Sequence, residues 1–186
     1  MMTSTLGYAL LNLIACEPQT GYDLSRTLQE RISFFWQAKH SQIYPELAKL
    51  ESAGFITHEV VRQNDKPDKK IYTLTDAGLA ALRAWVVAPL EMSPARDELL
   101  VKTAAIWQAD PAQAAALFRD HERQHAEQLA LYEGIRATLE EEWERSGRRR
   151  DLPWFGSYLT LMRGISYERE YRDWCRWAAE MVETRD

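Results

Sequence analysis

The sequence predicts a mainly helical protein with one small β-hairpin, and three observations lead to this fold class. First, Ile43, Leu47 and Leu50 recur at helical spacing in a short segment. Second, two runs rich in β-branched residues follow, at 56–63 and 70–74, separated by a polar turn. Third, the second half of the chain shows helical periodicity and no strand pattern. The order predicts a winged helix-turn-helix domain followed by an all-helical domain.

Two helices are predicted upstream of the apolar stripe. Residues 6–15 are apolar almost all round, which indicates a helix buried on several sides. Residues 17–19 interrupt it. Thr20, followed three positions later by Asp23, then predicts a capping box that opens the second helix.

The helix that carries the apolar stripe also has a polar face, and Gly54 is expected to end it. The polar face is expected to hold Ser41, Gln42, Tyr44 and Lys49. Gln42 has the amide that can read adenine, while Ser41 and Tyr44 can reach phosphates. The alternative is that these are ordinary solvated side chains on a surface helix.

The hairpin carries its positive charge near the turn. Lys66, Lys69 and Lys70 lie in the turn or at the start of the second strand. Such lysines can bind phosphates, although lysine is also common in any turn.

Thr75 is the expected N-cap of a helix that runs to about Val87. The inner face of that helix is expected to hold Leu79, Leu82 and Val86.

Prolines near residue 90 divide the chain into a winged-helix domain, 1–90, and a helical domain, 91–186. In the second domain the sequence predicts a helix from Glu98 to Gln108, a long helix opened by Asp110 and Pro111 and ending near Ser146, and a last helix from Pro153 to about Val182.

A coiled-coil-like stripe runs along the long helix. Its members are Phe118, His125, Tyr132 and Leu139, seven residues apart, with Leu129 and Trp143 in offset positions. Glu122 and Arg136 interrupt it. Such a stripe packs against another helix, in the same chain or in a second subunit.

Charge and composition narrow the function classes. The net charge is −5, yet the first 90 residues carry nine basic and nine acidic side chains, so the acidity belongs to the second domain. Local charge governs phosphate contact, so the negative net charge of the whole chain does not exclude DNA binding.

The sequence has no apolar run long enough to span a membrane and no secretory signal, which favours a cytoplasmic protein. Cys16 and Cys175 are expected to be isolated core thiols.

One motif favours a different function class. His121-Glu122-Arg123-Gln124-His125 matches the H-E-x-x-H pattern of zinc proteases, with Glu144 as a conceivable third ligand. However, Arg123 and Gln124 are polar where resembling proteases are apolar, and His125 already belongs to the stripe. We therefore expect no catalytic residue, no metal and no cofactor.

The cluster Arg148-Arg149-Arg150 is interpreted as complementing a helix dipole rather than as a nucleic-acid arm.

These motifs together resemble the PadR family of bacterial transcriptional regulators. The residues that carry the resemblance are Leu6-Gly7-Tyr8-Ala9-Leu10-Leu11, Thr20-Gly21-Tyr22-Asp23-Leu24, Phe35-Trp36, His40-Ser41-Gln42-Ile43-Tyr44-Pro45-Glu46-Leu47, Leu50-Glu51-Ser52-Ala53-Gly54-Phe55-Ile56 and Lys70-Ile71-Tyr72-Thr73-Leu74-Thr75-Asp76-Ala77-Gly78. They lie in the first 90 residues. The remainder is similar in length and helical pattern to the Vir-type C-terminal domain of one subfamily.

The resemblance implies a homodimeric repressor that binds an operator with inverted half-sites, often released by a small phenolic acid or an aromatic drug. By position, its recognition helix is matched by Ser41, Gln42, Tyr44 and Lys49, and its wing by Lys66, Lys69 and Lys70.

The seven tryptophans are more typical of core and dimer-interface residues than of a ligand site. An aromatic-lined cavity between the two domains is nevertheless a reasonable effector site, with Trp107, Trp154 and Tyr158 as candidates.

The sequence therefore predicts a sequence-specific, double-stranded-DNA-binding repressor. Two alternatives remain open. One is a metal-dependent hydrolase centred on His121, Glu122 and His125. The other is a winged-helix protein-interaction module without DNA binding, because a fold does not fix a function.

Overall fold

A computed structural model describes residues 3–31, 39–62, 68–91 and 96–184, with only the backbone of residues 30 and 31. The chain divides into two compact units, Met1–Met92 and Ser93–Asp186. Within the described residues, no helix has both the length and the apolar character needed to cross a lipid bilayer. The predicted class, mainly helical with a small β-sheet, is confirmed.

The first unit contains four helices and three strands among its described residues. In chain order they are α1 (Thr5–Cys16), β1 (Gln19–Thr20), α2 (Gly21–Arg31), α3 (His40–Ser52), β2 (Ile56–Val61), β3 (Lys69–Leu74) and α4 (Asp76–Val86). The Thr20 hydroxyl accepts a hydrogen bond from the Asp23 N–H at 3.2 Å, which confirms Thr20 as the cap of α2.

The sheet is antiparallel, with strand order β1-β3-β2. Ile56 pairs with Leu74 at one end of the hairpin and Val61 with Lys69 at the other. The short strand β1 adds to the outer side of β3, with Thr20 opposite Ile71. The sequence analysis did not predict β1, since two residues carry no periodicity.

One apolar core joins the helices and the sheet of this unit. Its fully buried members include Leu10, Leu11, Leu24, Ile43, Leu47, Leu50 and Ile56. Leu82 of α4 belongs to the same core. Val86 was wrongly predicted to face inward, for it is 66% exposed. The last turn of α4 packs instead through Trp85, whose ring stacks on Tyr8 at 4.5 Å, and this orientation turns Val86 outward.

The second unit is helical throughout its described residues. Its elements are α5 (Glu98–Ala104), a 3₁₀ turn (Ile106–Gln108), α6 (Pro111–Arg145) and α7 (Pro153–Glu183). Asp110 accepts a hydrogen bond from the Gln113 N–H at 3.0 Å, as its N-cap position predicts. The single helix expected from Glu98 to Gln108 is wrong. The chain leaves α-geometry at Ala105, because so short a helix with few buried side chains is marginal.

The predicted stripe of α6 packs against α7 of the same chain. Phe118, Leu129 and Tyr132 are buried, and Phe118 meets Trp174 edge-on at 5.8 Å. His125, Leu139 and Trp143 are half-buried along the same line. The stripe therefore holds a helical hairpin together within one chain.

The two cysteines differ in their surroundings. Cys175 is buried among α5, α6 and α7, and burial raises the pKa of its thiol to about 11. Cys16 was wrongly predicted to be a core thiol, because it is exposed at the end of α1, where Leu13 and Ile14 take the inward positions.

Candidate nucleic-acid interface

Helix α3 has one buried face and one exposed polar face. The buried side chains are Ile43, Glu46, Leu47 and Leu50. The exposed side chains include Ser41, Gln42, Tyr44 and Lys49, as predicted from the spacing. Hydroxyl, amide and ammonium groups thus lie together on one solvent-facing surface, where they can reach a nucleic acid.

Gln42 also serves the start of its own helix. Its side-chain Oε1 accepts a hydrogen bond from the Lys39 N–H at 2.9 Å. To read adenine with both groups, an amide must accept from N6 through Oε1 and donate to N7 through Nε2. A carbonyl oxygen has two lone pairs, so Oε1 can serve both partners.

Lys49 is tied to a buried carboxylate. Its Nζ donates to Glu46 Oε2 at 3.1 Å, and the Ser4 hydroxyl donates to Glu46 Oε1 at 2.5 Å. Burial alone would raise the pKa of Glu46, but the hydrogen bonds from Ser4 and Lys49 outweigh it and lower that pKa. The carboxylate stays ionised, so Lys49 offers less positive charge to a phosphate than a solvated lysine would.

An open groove of about 710 Å³ lies where α2, α3 and β3 meet. Its lining includes Tyr22, Tyr44, Glu51, Lys69, Lys70 and Tyr72. Glu51 is hydrogen-bonded to His58 of β2. Burial, reinforced by the negative charge of Glu51, raises the pKa of Tyr72. The groove brings one predicted residue of α3, Tyr44, together with two predicted residues of the hairpin.

The hairpin lysines stand at the start of β3. Lys69 and Lys70 are exposed, and within the described part of the chain neither has an ion-pair partner. Their charges are therefore available to a polyanion. The third predicted lysine, Lys66, lies outside the described residues.

Family models match both parts of the chain. The Transcriptional regulator PadR-like family matches residues 10–84, and the family described as Virulence activator alpha C-term matches residues 95–183. The chain is also 34% identical over 183 residues to the Negative transcriptional regulator PadR of Bacillus subtilis, which covers 96% of this chain and 97% of that protein. The chain belongs to the PadR-like family of transcriptional regulators.

Solved structures of that relative have the same fold as this PadR-like chain. The crystal structure of Bacillus subtilis PadR in complex with operator DNA matches with a TM-score of 0.86 and 33% identity, covering 98% of this chain and 100% of that chain. Its complex with p-coumaric acid matches with a TM-score of 0.71 and 32% identity, covering 97% and 100%. The predicted winged-helix family is thereby confirmed.

The three aromatic residues proposed for an effector do not lie together in this PadR-like regulator. Trp154 and Tyr158 both contact Trp143, with ring centroids at 6.3 and 5.4 Å, near the end of α6. Trp107 precedes the start of α6 and is 80% exposed. Since α6 has 35 residues, its length of about 50 Å separates Trp107 from the other two.

The residues of the H-E-x-x-H pattern have structural partners. Glu122 forms ion pairs with Arg119 at 3.1 Å and Arg176 at 2.7 Å. His125 Nδ1 lies 2.5 Å from Glu168 Oε2, and its ring stacks on Tyr171 at 4.2 Å.

Glu144, the conceivable third ligand, lies more than six turns from His121 along the same helix and pairs with Arg148. Among the described residues, no group of three or more His, Cys, Asp or Glu side chains could hold a metal ion. These positions give the hydrolase alternative no support.

Two of the three arginines after α6, Arg148 and Arg149, are also paired, whereas Arg150 forms no ion pair with a described residue. Arg148 donates to Glu144 through Nε and Nη2, and Arg149 donates to Asp151 through the same two atoms. Their positive charges are balanced locally, which agrees with the interpretation that this cluster is not a nucleic-acid arm.

The sequence analysis missed two residues that contact members of the candidate interface. Glu46 anchors Lys49 and Ser4, and its position next to Leu50 on the helical wheel, at the margin of the apolar stripe, could have shown that it faces inward. Gly21 lies directly against the ring of Tyr44. No local pattern in the sequence signals that contact, because it joins two helices.

Proposed function

We propose that this PadR-like chain represses transcription by binding an inverted-repeat operator as a homodimer in the cytoplasm, without catalysing a reaction. The observation that carries the proposal is the exposed polar face of α3, with Ser41, Gln42 and Tyr44, together with the groove that Tyr44 shares with the hairpin lysines Lys69 and Lys70. Amide and hydroxyl groups on a helix can read base edges, while lysines anchor phosphates. The operator complex of Bacillus subtilis PadR supports this assignment.

The side chains of the proposed interface have different roles in DNA binding because their functional groups differ. Gln42 reads a base, Ser41 and Tyr44 contact the sugar-phosphate backbone, and the lysines Lys49, Lys66, Lys69 and Lys70 contribute charge. Lys49 contributes least, because Glu46 already neutralises its ammonium. Lys69 and Lys70 contribute most of the described charge.

The homodimer is supported by apolar side chains left exposed on the second unit. Leu131 and Ile135 lie one turn apart on α6, and Trp177 and Met181 lie one turn apart on α7. Exposed apolar residues at this spacing are typical of an interface between helices. Two copies would present two α3 helices to the two halves of a palindromic site.

A small aromatic effector is the third part of the proposal. The rings of Trp143, Trp154 and Tyr158 form a half-buried cluster at the end of the helical hairpin. The indole Nε1 of Trp143 is buried there without a hydrogen-bond partner among the described residues, so it is a donor for a ligand oxygen. The p-coumaric acid complex of Bacillus subtilis PadR supports an aromatic acid as the ligand class.

Selection of bound duplexes from a random pool tests the proposal. The full-length chain should enrich one palindromic motif, and a micromolar excess of p-coumaric acid should then release that duplex. Failure to enrich any motif would contradict operator binding and would favour the hypothesis of a protein-interaction module. Enrichment without release by p-coumaric acid would contradict only this effector class.

The role of Gln42 can be tested separately from its role in the helix cap. Gln42→Glu keeps an oxygen that can accept from the Lys39 N–H, so the thermal unfolding midpoint should be unchanged. The variant loses the donor to adenine N7 and gains an acceptor suited to cytosine N4. The enriched motif should therefore lose its preference at one base pair per half-site, at a cost of about 1–3 kcal/mol on the original duplex. An unchanged motif would remove Gln42 from base readout.

A further inference from the structure

The ring of Tyr44 packs directly on the backbone of Gly21, the first residue of α2. A Cβ atom added at Gly21 would lie 2.7 Å from Cε1 and 3.2 Å from Cζ of that ring. Carbon atoms in favourable contact are about 3.5–4.0 Å apart. The position that the ring occupies is therefore open only while residue 21 has no side chain.

A second contact limits the ring from its own helix. His40 lies one turn before Tyr44 on α3, and the two rings meet at an angle of 61° with centroids 5.5 Å apart. Tyr44 is 47% exposed, so core packing does not fix its orientation. The orientation of the ring depends instead on Gly21 and His40.

We propose that Gly21 is a positioning residue for DNA binding. Its missing side chain lets the Tyr44 ring lie against the start of α2, so that the phenol lines the same groove as Lys69 and Lys70. The three groups then face one stretch of DNA backbone. This inference rests on the proposed function, in which Tyr44 contacts that backbone.

The backbone of α2 does not itself require glycine at this position. Among the described residues, the glycines with positive φ are Gly54 and Gly147, whereas Gly21 is helical. Alanine is a better helix former than glycine. The clash introduced by a methyl group falls on the far end of an exposed side chain, which can rotate into solvent. Gly21→Ala should therefore keep the fold and displace the ring.

A double-mutant cycle tests the positioning role, with the duplex enriched by the full-length wild-type chain as the probe. Gly21→Ala should weaken binding by about tenfold, the effect of losing one hydrogen bond to a charged group, and Tyr44→Ala by at least as much. The double variant should bind no more weakly than Tyr44→Ala, because without the ring nothing remains for Gly21 to position. Thermal unfolding of Gly21→Ala should match the wild type.

Gly156→Ala is the matched control, since a Cβ added at Gly156 meets nothing within 4 Å, and its affinity, measured without an aromatic acid, should stay at the wild-type value. Wild-type affinity of Gly21→Ala beside a weakened Tyr44→Ala would overturn the positioning role. So would additive losses in the double variant, or unfolding of Gly21→Ala, which would show a structural role. Normal binding by Tyr44→Ala would overturn the Tyr44 contact itself, and with it this inference, while leaving operator binding by the chain intact.

Discussion

Several arginines on the surface of the second unit lie against carboxylates, whereas two lysines at the start of β3 in the first unit do not. Arg148 pairs with Glu144 and Arg149 with Asp151. Lys69 and Lys70 are exposed, and no described residue forms an ion pair with either of them. Arg148 and Arg149 already share their positive charge with carboxylates, whereas Lys69 and Lys70 do not. This supports placing the proposed phosphate contacts at the two lysines.

Buried polar groups also differ between the two units. In the first unit, the buried Glu46 fastens α3 to Ser4 at the start of α1. In the second unit, polar pairs lie between helices: Tyr171 with Asp97, and His125 with Glu168. The Glu46 contacts thus lie next to the exposed face of α3, whereas the pairs of the second unit lie between α6 and α7 and between α7 and the start of α5.

The largest effect is expected in the core of the helical hairpin. Phe118 is 1% exposed and packs on Trp174, so Phe118→Ala should lower the free energy of unfolding by about 3–5 kcal/mol through lost burial and a residual cavity. Urea denaturation measures this loss. Arg123→Ala, which removes two exposed ion pairs on the same helix, should stay within about 1 kcal/mol of wild type. Equal losses in the two variants would contradict the packing of α6 on α7.

A smaller effect is expected at the pair between Tyr171 and Asp97. The Tyr171 hydroxyl donates to Asp97 Oδ2 at 2.6 Å, and this bond lowers the pKa of Asp97. Tyr171→Phe should lower the free energy of unfolding at neutral pH by about 1.5–3 kcal/mol, the value of a hydrogen bond to a charged group.

The pH dependence of that loss follows from the lowered pKa. The ionised carboxylate stabilises the folded state above the ordinary pKa of 3.8, and this contribution disappears as the pH falls through the lower pKa of the folded state. The difference between wild type and Tyr171→Phe should shrink in acid, as urea denaturation at several pH values would show. Tyr167→Phe, on the same helix, should show no such change. A difference independent of pH would mean that Asp97 is not the partner.

The smallest effect is expected for DNA affinity, when a lysine without an ion-pair partner is compared with an arginine that has one. Lys70→Ala should weaken binding to every duplex by about fivefold and lower the log-log salt slope by about one unit per monomer. Arg149→Ala should change neither, because Asp151 already balances that charge. Fluorescence anisotropy at two salt concentrations distinguishes them. Equal slopes for the two variants would contradict the distinction between paired and unpaired cations.

Features that depend on neighbours along the chain were predicted from the sequence. The caps at Thr20, Thr75 and Asp110 each bond the backbone N–H three positions later, so a few adjacent residues determine them. The two faces of α3 followed from helical spacing in the same way. The exposed candidates of the interface could therefore be named before the structure.

Features that depend on distant residues were not predicted. Trp107 and Trp154 were grouped by residue type, but the length of α6 separates them. Val86 continues the apolar spacing of α4, but the neighbouring Trp85 stacks on Tyr8, and Val86 faces outward. The contact of Gly21 with Tyr44 joins two helices and leaves no periodic signal. Each of these depends on tertiary packing, which outweighs local pattern.

The short strand β1 has a consequence for the order in which the first unit folds. Pairing of Gln19 with Tyr72 closes a loop of more than 50 residues, whereas β2 and β3 are neighbours along the chain. Closure of the longer loop costs more chain entropy, so the hairpin should form before β1 joins it. During synthesis on the ribosome, the groove between α2, α3 and β3 cannot be completed until β3 has emerged, more than 50 residues after α2 begins.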